Sequence, residues 1–153
     1  MIEVLQVIFV AALPVSELRG AVPLGIGVFG LSVWETYIWA VIGNMIPVFF
    51  LLWFLPAISK FMIKKWDFAD RFFSWIFERT RKRTEAKINK YGAPALILFV
   101  AIPLPFTGAW TGSIAAFLFG IKARRALPLI FLGVLIAGGL VTLATTGFVM
   151  FFK

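Results

Sequence analysis

Four long apolar stretches constrain the fold of this chain most strongly. The sequence has 153 residues, and the stretches cover positions 2–31, 36–58, 92–121 and 127–152. A helix needs about 20 apolar residues to cross the roughly 30 Å hydrocarbon core of a bilayer. The chain is also 61% hydrophobic, against about 45–50% in soluble domains. The sequence therefore predicts an all-α integral membrane protein that forms a single membrane domain, residues 1–153.

Two of the four stretches are interrupted near the middle. Residues 36–58 and 127–152 are long enough to cross once, whereas 2–31 contains PVSELRGAVP and 92–121 contains PLPFTGAWTG. Non-helical backbone survives at membrane depth only where it packs in protein or lines an aqueous cavity. Each broken stretch is therefore either a kinked span or a re-entrant hairpin that returns to the same face. Proline interrupts a helix because it lacks the backbone N–H, and the prolines at these breaks are Pro14, Pro23, Pro103 and Pro105.

The basic residues decide between these two arrangements. Ten of the 15 lysines and arginines lie between Lys60 and Lys90, and three more lie between Lys122 and Arg125. Positive charge beside a span marks the cytoplasmic side. If residues 92–121 crossed the membrane, the two basic regions would face opposite sides, whereas a re-entrant hairpin keeps both in the cytoplasm. We therefore predict a multi-pass protein of the cell (inner) membrane with both termini outside.

Residues 59–91 form the basic linker between the two halves of the chain. Its apolar residues recur at helical spacing between charged ones, which predicts a cytoplasmic amphipathic helix whose basic face contacts anionic lipid head groups. Because the positive charge is concentrated beside membrane spans, nucleic acid is not an expected partner. The apolar positions are Phe61, Met62, Trp66, Ala69, Phe72, Phe73, Ile76 and Phe77.

The two halves are predicted to be inverted repeats. Residues 1–58 and 92–153 each hold a re-entrant hairpin followed by one span, so a single crossing per half inverts one half relative to the other. A shift of 90 residues aligns Phe9–Ala11 with Phe99–Ala101 and Gly43 with Gly133. Inverted repeats with broken helices near the midplane are typical of secondary transporters. A homodimer would enclose the cavity of so small a chain, through Gly43 or the small residues of 133–139.

The residues of the two breaks indicate an anion site. The second helix of each hairpin would begin at the midplane, where its N–H groups attract an anion. Ser16 is the expected N-cap of the first such helix, and Thr107 or Thr111 of the second. Arg19 adds a permanent planar donor, and Glu17 is the expected proton-coupling group. The candidate substrate-binding residues are Arg19, Ser16, Gly20, Thr107, Gly108, Trp110 and Thr111.

A structural interpretation of these residues stays open. Glu17 and Arg19 can neutralise each other and hold the hairpin in shape, and Trp110 and Thr111 can be ordinary hairpin packing. The sequence has no cysteine and no histidine, and it offers no set of nucleophile, base and orienting group. We therefore expect no enzyme activity, no metal site and no cofactor.

Two motifs in order resemble the signature of the small multidrug export protein family. They are PVSELRGAVPLGIG in the first half and AIPLPFTGAWTGSIAA in the second, and the resemblance extends over the basic linker FERTRKRTEAKINKYG. That family is similar to the DedA/VTT superfamily, which implies two re-entrant hairpins in inverted halves and a link to lipid or lipid-carrier translocation. The chain departs from the related pattern at Phe106, and its second break has no ionisable side chain where DedA proteins have arginines.

Three functions remain open at this point. The first is a proton-linked transporter or flippase for an anionic substrate such as a phosphate-bearing lipid or lipid carrier. The second is a small multidrug exporter that exchanges protons at Glu17 for a lipophilic cation, although Arg19 would repel such a cation. The third is a non-transporting membrane scaffold that acts through the basic linker. We rank the anionic substrate first.

Overall fold

Helices make up the ordered elements of the protein. The computed structural model describes residues 1–65, 71, 74, 75, 78, 94–103 and 107–151. Within these residues no strand is present, and one π-helical turn, Leu24–Val28, follows the second helix. The helices whose bounds the structure gives are α1 Ile2–Ala12, α2 Glu17–Pro23, α3 Val33–Lys65, α4 Ala95–Ala101, α5 Ala109–Leu118 and α6 Ala123–Phe151.

Two of these helices are long and apolar enough to cross a membrane. The apolar part of α3 is Val33–Ala57, with 25 residues, and α6 has 29. At about 1.5 Å per residue both exceed the roughly 30 Å hydrocarbon core. α3 continues through Pro56 to Lys65, so it extends past residue 58, the predicted end of the first repeat, into the predicted 59–91 linker. The rest of the 59–91 linker lies largely outside the described residues.

The four short helices form two pairs. α1 and α2 are joined by a turn at 13–16 that contains Pro14, and α4 and α5 are joined by residues 102–108, which contain Pro103. Pro23 does not break the chain as predicted, because it is the last residue of α2 and continues into the π-helical turn. Proline lacks the N–H of a helical hydrogen bond, and the helix departs from the α-helical pattern directly after Pro23, in the π-helical turn. Pro105 lies outside the described residues.

The helices of the two halves pack in the same pattern. α1 packs against α3, and α4 packs against α6, which is the long helix of its own half. α2 and α5 each pack against both α3 and α6, and these two long helices also pack against each other. Consequently the turns that begin α2 and α5 are held between the long helices, where the core is formed by buried apolar side chains of both halves.

Two glycines allow the first helix of each pair to approach its long helix closely. A Cβ on Gly43 of α3 would lie 2.5 Å from the carbonyl oxygen of Ile8, and one on Gly133 of α6 would lie 2.6 Å from Cβ of Val100. Real Cβ atoms do not come this close to other heavy atoms. Gly43 and Gly133 therefore pack against helices of their own chain. The homodimer predicted through Gly43 or the small residues of 133–139 stays a prediction.

Candidate functional site

Glu17 joins the first break to the second. Its side chain is only 5% exposed, and Oε1 accepts a hydrogen bond of 3.3 Å from the backbone N–H of Trp110, the second residue of α5. A carboxylate at this position satisfies an unpaired N–H of the helix and interacts favourably with its dipole. Glu17 therefore acts as an N-terminal cap for a helix in the other half of the chain.

The backbone of Glu17 is strained. Its φ of 46° lies in the left-handed region, and it is the one non-glycine residue of the described part of the chain with a positive φ. Such a conformation costs on the order of 1–3 kcal/mol and persists where the surroundings impose it. Here the turn at 13–16 must reverse the chain between α1 and α2 and also direct the carboxylate toward α5. This strain marks Glu17 as a functional candidate.

Gly108 provides the space that the carboxylate of Glu17 occupies. It is the N-cap residue of α5, with a φ of 151° that L side chains rarely adopt. A Cβ at this position would overlap the Glu17 carboxyl group, with Cδ and Oε1 both 2.7 Å away. Glycine is thus required here for its conformation and for the close approach of a charged group.

Arg19 binds the second break rather than Glu17. Its Nη2 donates a hydrogen bond of 3.1 Å to the carbonyl oxygen of Thr107. Both side chains lie in the described part of the chain, where no Glu17–Arg19 ion pair within 4.0 Å is found. One of the five N–H donors of the guanidinium is used by Thr107. Arg19 is half-buried, so it retains donors for a ligand.

Trp110 completes the connection in the opposite direction. Its indole Nε1 donates a hydrogen bond of 3.1 Å to the carbonyl oxygen of Ala12, the last residue of α1. The C-terminal carbonyls of a helix have no partner within it, and this bond satisfies one of them. Trp110 thus donates two hydrogen bonds to the first break, one from its backbone to Glu17 and one from its indole to Ala12, and Arg19 donates one to the second break.

The three hydroxyl groups predicted as helix caps do not cap. Ser16 occupies the N-cap position of α2, but its backbone is helical and its side chain makes no capping hydrogen bond. Thr107 donates to the carbonyl oxygen of Ile102 at 2.6 Å, and Thr111 donates to that of Gly108 at 3.3 Å. The predictions for Thr107 and Thr111 are wrong because Glu17, which is distant in sequence, caps the N-terminus of α5. The prediction for Ser16 is wrong because its backbone is already helical.

A small cavity lies between the two breaks. Polar lining comes from Glu17, Arg19, Asn44 and Thr107, and the apolar part comes mainly from α6, with single residues of α2, α4 and α5. Its volume is about 10 Å³, roughly the space that one water molecule needs. Ser16, Gly20 and Thr111 do not line it, and a Cβ on Gly20 would instead meet Ser16 at 2.7 Å. The conformation is therefore closed, with room at its centre for a water molecule but not for a substrate.

Asn44 is the site residue that the sequence interpretation missed. It lies in the middle of α3, is 1% exposed and lines the cavity beside Glu17. Its Oδ1 has no hydrogen-bond partner within the described residues. An amide inside an apolar span is a signal in itself, because a polar side chain in the membrane usually has a functional partner.

The family comparison matches residues 17–140, and so includes Glu17, Arg19, Asn44 and Trp110. The matching family is described as "Putative small multi-drug export protein". The chain belongs to this family. Comparison with curated proteins and with solved structures finds no match.

This small multi-drug export family member is a membrane protein. The family description and the two long apolar helices agree on this point. Among the described residues, no group of three or more acidic side chains lies close enough to hold a metal ion. The chemistry available at the centre is therefore that of one carboxylate, one guanidinium, one amide and the N-terminus of α5.

Proposed function

We propose that this protein is a proton-linked transporter or flippase for an anionic substrate, such as a phosphate-bearing lipid or lipid carrier. The observation that carries the proposal is the position of the Glu17 carboxylate. It accepts the N–H of Trp110 at the start of α5, close to Arg19. These are the donors that a bound anion would use, because helix N-termini and guanidinium groups both bind phosphate.

Competition between Glu17 and the substrate would couple the anion to a proton. When Glu17 takes up a proton it becomes neutral, so its attraction to Arg19 and to the N-terminus of α5 falls. A substrate anion can then replace it at the same donors. Asn44 offers an unpaired acceptor in the same cavity, which can receive the new O–H of Glu17 directly or through one water molecule. The proton and the anion would thus be carried together.

The proposed architecture is a pair of inverted repeats, each with a re-entrant hairpin. The shared packing pattern of the two halves supports it, as do the close contacts of Gly43 and Gly133, which lie 90 residues apart. α1 and α5 have 11 and 10 residues, or about 15–17 Å at about 1.5 Å per residue, which is half of the hydrocarbon core. This architecture would relate the family to the DedA/VTT superfamily, with both basic regions on the cytoplasmic side of the inner membrane.

Reconstitution into liposomes tests the proposed function. We expect the wild-type protein to move a phosphate-bearing lipid between leaflets and to take up protons from the same side. Glu17→Gln keeps the shape of the side chain and should abolish the proton movement, whereas Arg19→Gln should abolish substrate binding. A wild-type protein that moves phosphate-bearing lipids or soluble phosphates at the same rate with and without a pH gradient would refute the proposal.

Export of a lipophilic cation is the second candidate. The family description favours it, and a single buried carboxylate can exchange a cation for a proton. However, Arg19 and the N-terminus of α5 both place positive charge beside Glu17, which disfavours a cation at this position. Drug resistance conferred by the wild type, lost in Glu17→Gln and kept in Arg19→Gln, would establish this candidate in place of the first.

A further inference from the structure

A groove, the Arg19 groove, leads away from Arg19 along the second half of α6. Its volume is about 400 Å³, and it is lined by Arg19 and Pro23 of α2, by Pro103, and by residues of α6 that include Val141, Ala144 and Thr145. Apart from Arg19 and Thr145 its lining is apolar. The groove and the central cavity share Arg19, Pro103 and Val141. The Arg19 guanidinium therefore lies between the closed central cavity and the open, largely apolar groove.

A second groove occupies the corresponding place in the other half. It has a volume of about 330 Å³ and runs along the second half of α3, past Phe54 and Leu55. The shift of 90 residues that aligns the two halves relates Phe54 to Ala144 and Leu55 to Thr145. Trp110 lies at one end of this second groove, the Trp110 groove, and its indole N–H is already bonded to Ala12. No charged side chain lines this second groove.

The positive charge at one end of the first groove indicates the chemistry of a ligand that would fit it. A groove with apolar walls and an arginine at one end matches a molecule with a hydrocarbon chain and an anionic head. Arginine suits a phosphate head because its planar donors bind phosphate oxygens in pairs. The volume is near the lower end of the range for ligand pockets, about 300–1,000 Å³, which fits one hydrocarbon chain.

We propose that the Arg19 groove binds the single hydrocarbon chain of a membrane lipid whose phosphate head group contacts Arg19. This inference rests on the proposed function and adds to it that the substrate has a single hydrocarbon chain and that this chain lies in the groove. The groove lies at the end of α6 opposite Lys122–Arg125. With those basic residues in the cytoplasm, as the positive-inside rule predicts, the groove lies in the outer half of the membrane.

Native mass spectrometry of the detergent-purified protein tests this proposal with defined probes. The probes are dodecyl phosphate, with one chain and a phosphate head, methyl phosphate, with the head alone, and phosphatidic acid, with two chains. Ala144→Trp fills the Arg19 groove, and Leu55→Trp makes the matched change in the Trp110 groove. Arg19→Gln removes the positive charge that would contact the phosphate head group. Elution volume and thermal unfolding of each variant show whether it folds as the wild type does.

We expect the wild type to bind dodecyl phosphate more tightly than methyl phosphate or phosphatidic acid. Ala144→Trp should weaken dodecyl phosphate binding by about tenfold or more, the change expected when about two methylene groups are kept out of the groove. Leu55→Trp should leave the affinity within about twofold. If Ala144→Trp does not fold, Ala144→Leu and Leu55→Phe provide a milder matched pair with the same expected contrast.

The outcomes separate this inference from the function on which it rests. If Arg19→Gln binds all the phosphates as well as the wild type, Arg19 is not an anion site and both proposals fail. If Arg19→Gln loses binding but Ala144→Trp and Leu55→Trp behave alike, the anion site stands and the groove is not the tail site. Equal binding of dodecyl phosphate and phosphatidic acid would overturn the assignment of a single chain.

Discussion

Adding one methyl group at Gly108 should disrupt the connection between the two breaks. The Cβ of Gly108→Ala would lie 2.7 Å from Cδ and from Oε1 of Glu17, so the carboxylate must move and its bond to Trp110 is lost. A hydrogen bond to a charged group contributes about 1.5–3 kcal/mol. The φ of 151° adds backbone strain on the order of 1–3 kcal/mol. We therefore expect the free energy of unfolding to fall by about 2.5–6 kcal/mol.

The measurement is equilibrium unfolding in mixed micelles, with a control glycine and a double mutant. A Cβ on Gly139 of α6 would meet nothing within 4 Å, so Gly139→Ala should be neutral or stabilising by about 0.5–1 kcal/mol. Glu17→Ala removes the group that the new methyl would meet. Its combination with Gly108→Ala should therefore cost at least about 1 kcal/mol less than the sum of the two single changes. An additive double mutant, or a Gly108→Ala as mild as Gly139→Ala, would refute the reasoning.

Three further changes test other contacts, each by unfolding in the same micelles. Trp110→Phe removes the indole N–H that bonds to Ala12 and should lower the free energy of unfolding by about 0.5–1.5 kcal/mol. The control Trp34→Phe, at a position 75% exposed, should lower it by less than about 0.5 kcal/mol. Equal costs would contradict the assigned bond. Asn44→Leu removes a buried amide whose oxygen has no partner, so the free energy of unfolding should be unchanged or rise by about 1–3 kcal/mol. Proton-linked transport in liposomes should be lost in this variant. Unchanged transport would show that Asn44 has no role in it. Gly43→Ala places a Cβ 2.5 Å from the Ile8 carbonyl oxygen and should lower the free energy of unfolding by about 1–3 kcal/mol. A cost no larger than that of Gly139→Ala would mean that α1 moves freely along α3.

The main helices could be predicted from the sequence because each depends on local properties. A long apolar run favours a helix that can cross a bilayer, and proline beside glycine favours a turn between helices. The bounds were less accurate, since α3 extends to Lys65 and Pro23 is included in a helix. In both cases a helix continued where local signals alone suggested an end.

The site was predicted in part, and the errors have a common cause. Glu17, Arg19, Thr107, Gly108 and Trp110 do come together, as expected if the two breaks meet. The caps were assigned to Ser16, Thr107 and Thr111 because capping is usually local. Here the cap of α5 comes from a residue 93 positions away, and no local rule can identify such a partner.

The sequence by itself determined that this is a helical membrane protein with two interrupted apolar segments, and it placed one acid and one base in the first interruption. These conclusions follow from hydropathy and charge, which depend on the kind of residue at each position. Only the tertiary structure decided that Glu17 binds the N-terminus of α5, that Arg19 contacts Thr107 instead of Glu17, and that Asn44 faces the same cavity. Those contacts depend on how closely helices approach, and that distance is set by packing at positions such as Gly43, Gly108 and Gly133.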